Sequence, residues 1–298
     1  MDFLRPASWA EALRLKAERP DAVPIRGGTD VMVEINLDRS RPGALLDLGP
    51  IRELDEWAVT GAPPGAPAGA PDSAMFVRVG AGVTYTRLLA ELAEVLPGLA
   101  QASRTVGSPQ IRNRGTVGGN LGSASPAGDA HPPLLAADAV VEAESVRGTR
   151  LIPIREFYTG VKRNALAPDE LIRAFWLPRA AGPQYFGKVG PRNAMVIAVC
   201  SFAIALDPAR RTVGTGIGSA APTPRRAAAA EEYAAERLDW DGRGPLPGEV
   251  AERFGELVAG AADPIDDVRG SAAYRRHSLA VLARRMLTWA WNDYRESA

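Results

Sequence analysis

Two glycine-rich turns constrain this chain more than any other stretch: Ile25-Arg26-Gly27-Gly28-Thr29-Asp30 and Gly115-Thr116-Val117-Gly118-Gly119-Asn120-Leu121-Gly122-Ser123. Paired glycines let a backbone come close to a ligand, because no side chain blocks the approach and unusual φ angles cost little. Consecutive N–H groups then face one concavity, which suits the oxygens of a diphosphate. Thr29, Thr116, Asn120 and Ser123 add neutral donors beside them. Neither turn fits Gly-x-Gly-x-x-Gly, and neither carries the Gly-Lys-Ser/Thr of a triphosphate loop. Gly80-Ala81-Gly82 reads as a bend after a strand. A single Gly-Gly is as well explained by a tight turn. The pair points toward a ligand cradle, and local physics alone leaves both readings open.

The pattern around these turns alternates short strands and helices. Ser8-Trp9-Ala10-Glu11 has the form of a capping box, followed by Ala12, Leu13 and Leu15. Asp21 to Arg26 reads as a strand entering the first turn, and Thr29 and Asp30 can cap a helix through Val31 to Ile35. Ala44 to Leu48 is a second strand. Glu56 to Val59 and Met75 to Val79 read as a hairpin, with Gly61 to Asp72 as a mobile Gly/Ala/Pro tip. A helix opening at Thr84 carries Leu88, Leu89, Leu92 and Val95 and is expected to stop at Pro97-Gly98. Val140 to Ile152 forms a hairpin turned near Gly148, and Ala198 to Gly218 a further one around Asp207-Pro208. A domain boundary is placed near Ala180 to Pro183. The last helix shows Leu279, Leu282, Met286 and Trp289 as a core stripe, with a partner-binding face as the other reading.

Composition removes several classes of function. Lys+Arg 35 balance Asp+Glu 35, so nothing draws the chain to nucleic acid. Length 298 and a hydrophobic fraction of 46% suit two globular domains. Met1-Asp2-Phe3-Leu4-Arg5-Pro6 lacks the form of a signal peptide, and no apolar run approaches the ~20 residues of a membrane span, so a cytoplasmic protein is expected. The lone cysteine, Cys200, sits in an apolar run and reads as an inert core thiol; it cannot by itself hold an iron–sulfur cluster. His131 and His277 have no metal-type spacing. Redox chemistry must therefore come from a bound organic cofactor or a partner chain.

The run Val106-Gly107-Ser108-Pro109-Gln110-Ile111-Arg112-Asn113-Arg114-Gly115-Thr116-Val117-Gly118-Gly119-Asn120, continuing through Ala124-Ser125-Pro126-Ala127-Gly128-Asp129 to Leu135, resembles the signature of FAD-binding medium subunits of molybdenum hydroxylases. That family includes xanthine dehydrogenases and carbon monoxide dehydrogenase. Gly27 to Asp30, Leu46-Asp47-Leu48, Lys188-Val189-Gly190 with Arg192 and Ala194-Met195, Ala221 to Arg225, and Pro264 to Arg275 match in order along nearly the whole chain.

The resemblance implies an α+β fold: a two-lobed FAD-binding domain over 1–180 (lobes about 1–55 and 56–180), then a C-terminal domain over 181–298 with a small antiparallel sheet and helices. It implies that Ile25 to Asp30, Val106, Thr116, Gly118, Gly119, Asn120 and Ser123 hold FAD. By the same resemblance Asp129 lies at the ribose and adenosine end, while Leu171 or Ile172 packs against a ring. Lys188 is placed close to the flavin, where its charge would favour the reduced ring. Phe186 stands where relatives often carry Tyr, which leaves an aromatic face without a hydroxyl. Asp129 as a helix N-cap and Lys188 as a solvated strand-end charge are the structural readings. The resemblance further implies a large molybdenum-cofactor subunit and a small subunit with 2Fe-2S clusters, assembled as a dimer of heterotrimers, with NAD, oxygen or another molecule as acceptor. A self-contained FAD oxidase and a scaffold without cofactor are the alternatives.

Overall fold

The computed structural model describes residues 1–63, 75–192 and 195–297. Most of the expected tip at 61–72, and Ala194 of the family match, lie outside the described residues.

The chain opens with β1 (Asp2–Leu4), α1 (Trp9–Glu18), β2 (Val23–Ile25), α2 (Val31–Asn36) and β3 (Ala44–Asp47). The strands form a parallel sheet in the order β1-β3-β2, which requires helical crossovers between them. α1 starts where the capping box predicts. The Ser8 hydroxyl accepts the Glu11 N–H at 3.2 Å, and the Glu11 carboxylate turns back to the N–H of Ala7 at 2.8 Å. Asp30 holds the N-cap position of α2, but its side chain makes no capping bond, so that expectation fails.

The second lobe comprises β4 (Trp57–Thr60), β5 (Phe76–Gly80), α3 (Tyr85–Glu91), α4 (Pro97–Thr105), α5 (Pro109–Arg112), α6 (Val117–Ser123) and α7 (His131–Ala136). β6 (Val140–Ser145), β7 (Gly148–Pro153), α8 (Ile154–Phe157), β8 (Tyr158–Gly160), β9 (Arg163–Asn164) and β10 (Leu171–Pro178) follow. Five strands pair antiparallel in the order β4-β5-β10-β6-β7, and both expected hairpins are in register. Pro97 opens α4 rather than ending α3, since proline fits the first helical position, where its missing N–H is not needed. One apolar cluster, with Trp9, Leu46, Leu54, Leu88 and Phe175, runs through both lobes.

β11 (Gln184–Val189), β12 (Cys200–Asp207) and β13 (Thr212–Gly218) make a small antiparallel sheet, packed by α9 (Ala228–Arg237), α10 (Gly248–Gly260) and α11 (Ala272–Glu296). A second apolar cluster, with Phe202, Phe254, Met286 and Trp291, lies between them. In α11 the buried face takes Leu279, Ala283, Met286, Ala290 and Trp291, while Trp289 stays 47% exposed. Ten residues over three steps average less than the 3.6 of a helical turn, so the series ending at Trp289 slides off the face. Cys200 is fully covered, and burial pushes its thiol up to about 12, which makes it inert. No helix among the described residues is long and apolar enough to cross a membrane. The whole is the α+β architecture implied by the resemblance.

The small sheet meets the second lobe through glycines. A Cβ on Gly214 would overlap the Ala136 carbonyl oxygen, and one on Gly216 the Pro132 carbonyl. β13 therefore lies against the backbone of α7, which brings β11 alongside the loop that precedes α7.

Candidate functional site

The two glycine turns are pressed together. A Cβ on Gly27 would overlap the Arg114 carbonyl oxygen, and Gly28 has φ +73, where L side chains are strained. Tyr85 N–H donates to the Gly115 carbonyl at 3.0 Å, which ties the second turn to α3. The Thr116 hydroxyl accepts the Gly119 N–H at 2.9 Å and so caps α6. A Cβ on Gly118 would lie 2.5 Å from the Ala81 oxygen. Gly27, Gly28 and Gly118 thus have reasons inside the protein to be glycine. Gly119 does not: it is exposed, and a Cβ there meets only Thr116 Oγ1, at 3.3 Å. Its bare Cα is free for something from outside. Ser123 is less available than expected, because its hydroxyl donates to the Asn120 carbonyl of its own helix at 3.0 Å.

Behind α6 lies a buried polar floor. Asn120 Oδ1, Asp129 Oδ1 and His131 Nε2 are all buried and none has a hydrogen-bond partner. Gly128 sits where two of these groups converge; a Cβ there would be 2.5 Å from His131 Nε2 and 2.7 Å from Asn120 Nδ2. His131 Nδ1 and the Tyr158 hydroxyl share a hydrogen bond of 2.8 Å, with the rings edge to face. Burial holds the imidazole neutral by lowering its pKa to about 3, and it raises the Tyr158 hydroxyl well above the ordinary phenol value. Sequence reasoning passed over both residues. The signal for His131 was its place between Asp129 and Pro132-Pro133; Tyr158 carried none.

Lys188 and Asp129 form one unit. Lys188 Nζ donates to Asp129 Oδ2 at 2.5 Å, to the Thr105 carbonyl at 3.0 Å and to the Val196 carbonyl at 3.1 Å. The Thr105 hydroxyl donates to the same carboxylate oxygen at 3.0 Å. The side chains are only 10% and 8% exposed, so Lys188 is not a solvated strand-end charge. Nor is Asp129 an N-cap, since Ala130 holds that position for α7. Burial pushes the Asp129 carboxyl upward, while Lys188 and Thr105 oppose it. The two residues thus stand side by side, and the field of Lys188 is that of an ion pair, weaker at a distance than that of a lone charge.

The remaining residues divide. Ile25, Val106 and Thr29 are half-buried beside the turns, and Asp30 is exposed. Leu171, at 1% exposed, is enclosed in the first apolar cluster, and Ile172 is at 8% beside a β-bulge. Phe186 packs against Ala102, Ala136 and Ala203, which close over its ring. Leu171 and Phe186 therefore spend most of their surfaces on the protein. The Arg26 side chain also leaves the cradle. Its Nη2 donates to Asp55 Oδ1 at 2.5 Å, and it lines a separate cleft with Arg52, Arg87 and Arg114.

Two backbone turns in contact, one bare glycine facing out and a floor of buried polar atoms without partners are what a protein needs to wrap an extended polar cofactor. The chain belongs to the family described as the FAD binding domain in molybdopterin dehydrogenase, which matches residues 1–180; the CO dehydrogenase flavoprotein C-terminal domain matches residues 185–290. It is thus an FAD-binding subunit of the xanthine and carbon monoxide dehydrogenase-like molybdenum hydroxylases, and an oxidoreductase component. Among its relatives is the xanthine dehydrogenase FAD-binding subunit of Escherichia coli O157:H7, 30% identical and covering 97% of this chain and 95% of that one. The nicotine 6-hydroxylase medium subunit of Paenarthrobacter nicotinovorans is also 30% identical, covering 97% and 96%. Reconstituted CO dehydrogenase from Oligotropha carboxidovorans superimposes with a TM-score of 0.85 at 25% identity, over 98% of each chain.

Proposed function

We propose that this chain carries electrons within a larger enzyme and leaves the choice of organic substrate to a partner. The observation that carries the reading is the unpartnered buried set of Asn120 Oδ1, Asp129 Oδ1 and His131 Nε2 beside the exposed Gly119. Groups that would cost about 1–3 kcal/mol each if left unsatisfied are accounted for when a cofactor's hydroxyl and amide groups supply the partners. Gly28, Thr29, Thr116 and Gly119 would line the diphosphate, and the Lys188–Asp129 pair would close the cradle from the small sheet. FAD, when bound, supplies a redox centre able to take electrons in ones or twos. The protein's part is to hold it, to exclude water with the covered floor, and to keep His131 neutral as a fixed hydrogen-bonding group.

Two facts support the division of labour. Cys200 is the one cysteine of the chain, too few thiolates for an iron–sulfur cluster. Relatives at about the same similarity are named for xanthine and for nicotine, which fits a subunit indifferent to the organic substrate. The complete reading has a large subunit carrying the molybdenum cofactor and a small one carrying 2Fe-2S clusters, paired as a dimer of heterotrimers. This chain would then be the outlet of the assembly, with NAD, oxygen or another molecule as the acceptor. In this reading residues 1–180 bind the cofactor and 181–298 brace it and meet the partners. The test is an absorption spectrum of the purified chain, then denaturation and identification of the released cofactor. Released FAD supports the cradle; a colourless chain that takes up no FAD overturns it. Hydroxylation of an organic substrate by the chain alone would overturn the division of labour.

A further inference from the structure

Arg26, Arg52, Arg87 and Arg114 come from four separate segments and converge on one cleft of about 580 Å³. Asp55 is the one carboxylate on its walls. It is already engaged by Arg26 at 2.5 Å, with Arg52 at 4.0 Å from its other oxygen. Arg87 is held by Glu91 and donates to the Asp55 carbonyl. Arg114 finds no acceptor among the described residues, and the Nε of Arg26 is buried without one. Two carboxylates, Asp55 and Glu91, answer these four guanidiniums, so the cleft keeps a net positive charge although the chain as a whole is neutral. Gly82 keeps the floor open; a Cβ there would lie 2.6 Å from Asp55 Oδ1 and 2.9 Å from Arg26 Nε.

We propose that this cleft binds the phosphate of a small molecule, at a site distinct from the FAD cradle. None of Thr116, Gly118, Gly119, Asn120 or Asp129 lines it. Guanidinium forks match phosphate oxygens in pairs, and a concave site reached by four of them suits a compact, multiply charged anion. The cleft and the cradle share a wall, because Arg26 precedes Gly27, and Arg114 is the residue whose carbonyl Gly27 touches. A phosphate drawn in by Arg26 and Arg114 would therefore press on the backbone of both cofactor turns.

The test uses the full chain saturated with FAD, so that the cradle is filled, and titrates inorganic pyrophosphate and GDP by calorimetry. The R52A/R114A double variant removes two exposed side chains that make no close ion pair, and R253A on the far surface is the control. Wild type and R253A should bind pyrophosphate alike, and the double variant should lose about tenfold or more in affinity. GDP binding at least about tenfold tighter than pyrophosphate would identify a nucleotide as the source, and equal affinity the free anion. Absence of binding by either probe, or equal binding by wild type and the double variant, overturns the proposal. So does a double variant that fails only to hold partner chains, since the cleft would then be a protein dock. A chain that holds no FAD would defeat the cradle, yet the comparison of variants would still decide the cleft.

Discussion

The C-terminal region and the cofactor lobe both bury charge, but they treat it in opposite ways. Arg275 in α11 is 3% exposed, and its guanidinium donates to the Val199 and Ser219 carbonyls and to Asp267 Oδ1. It locks the loop before α11 to the small sheet and leaves no acceptor wanting. In the cofactor lobe His131 and Asp129 are buried and Asn120 is half-buried, yet each keeps a covered side-chain atom without a partner. All the unpartnered buried atoms among the described residues lie at or before Arg173. A buried polar group costs free energy unless it is hydrogen-bonded, so a complete set of partners marks a strut and an incomplete set marks a place for a visitor.

The largest effect should come from the strut. Arg275→Ala removes a buried guanidinium and leaves the Val199 and Ser219 carbonyls unmet, while Asp267 keeps its bonds from Arg269, for a loss of about 2–5 kcal/mol in urea unfolding. FAD bound per folded molecule should stay the same, because no cradle atom is touched. If flavin were lost in step with stability, the strut and the cradle would be one system and the contrast would fail.

His131 should reveal itself through pH. Its folded pKa is lowered by burial from 6.5 to about 3, so the neutral form is the one the fold accepts. The stability it contributes is therefore complete above pH 6.5 and is lost as pH falls toward about 3. Across that window wild type should lose about 1.4 kcal/mol per pH unit relative to His131→Asn, which cannot titrate. Asp129 acts with the opposite sign: its raised pKa gives stability at low pH that is lost as pH rises through the folded value. Because both proteins keep Asp129, that term cancels in the difference. A constant difference between the two proteins from pH 7 to 4 would mean that the imidazole is not held neutral.

Two alanine substitutions in α6 sharpen the comparison further. Gly122→Ala should gain up to about 1 kcal/mol of helix stability, since its Cβ meets nothing, and Gly119→Ala should gain less, since its Cβ crowds the capping Thr116 Oγ1 at 3.3 Å. Only Gly119→Ala should weaken FAD, by about tenfold, because its new methyl group occupies the approach to the diphosphate. Equal FAD affinity in the two variants, measured by equilibrium dialysis, would return Gly119 to the status of an ordinary turn residue.

Much of this was legible in the sequence, for identifiable reasons. Ser8 and Glu11, the hairpins at Val59/Val77 and Ser145/Gly148, and the glycine turns are local signals, read from spacing within a few residues. What depended on distant chain was not legible. The Lys188–Asp129 contact joins residues 59 positions apart, and it required β13 to lie on α7 through Gly214 and Gly216. Pattern could not show that Phe186 would be covered by three alanines, or that Arg26 would turn to Asp55. A motif gives the position of a side chain along the chain, not the direction in which it spends its hydrogen bonds.

Ser123 gives the smallest and cleanest test of that last point. By sequence it is a donor beside the second turn; in the fold its hydroxyl donates at 3.0 Å to the Asn120 carbonyl, within its own helix. A half-buried hydroxyl bonded to its own backbone contributes on the order of 0.5–1 kcal/mol, and alanine's better helix propensity returns part of it. Ser123→Ala should therefore shift the unfolding midpoint slightly and leave FAD affinity unchanged. A drop in FAD affinity with unchanged stability would mean that the hydroxyl turns outward when the cofactor arrives. Ser123 would then join Asn120, Asp129 and His131 as a group whose partner comes from outside.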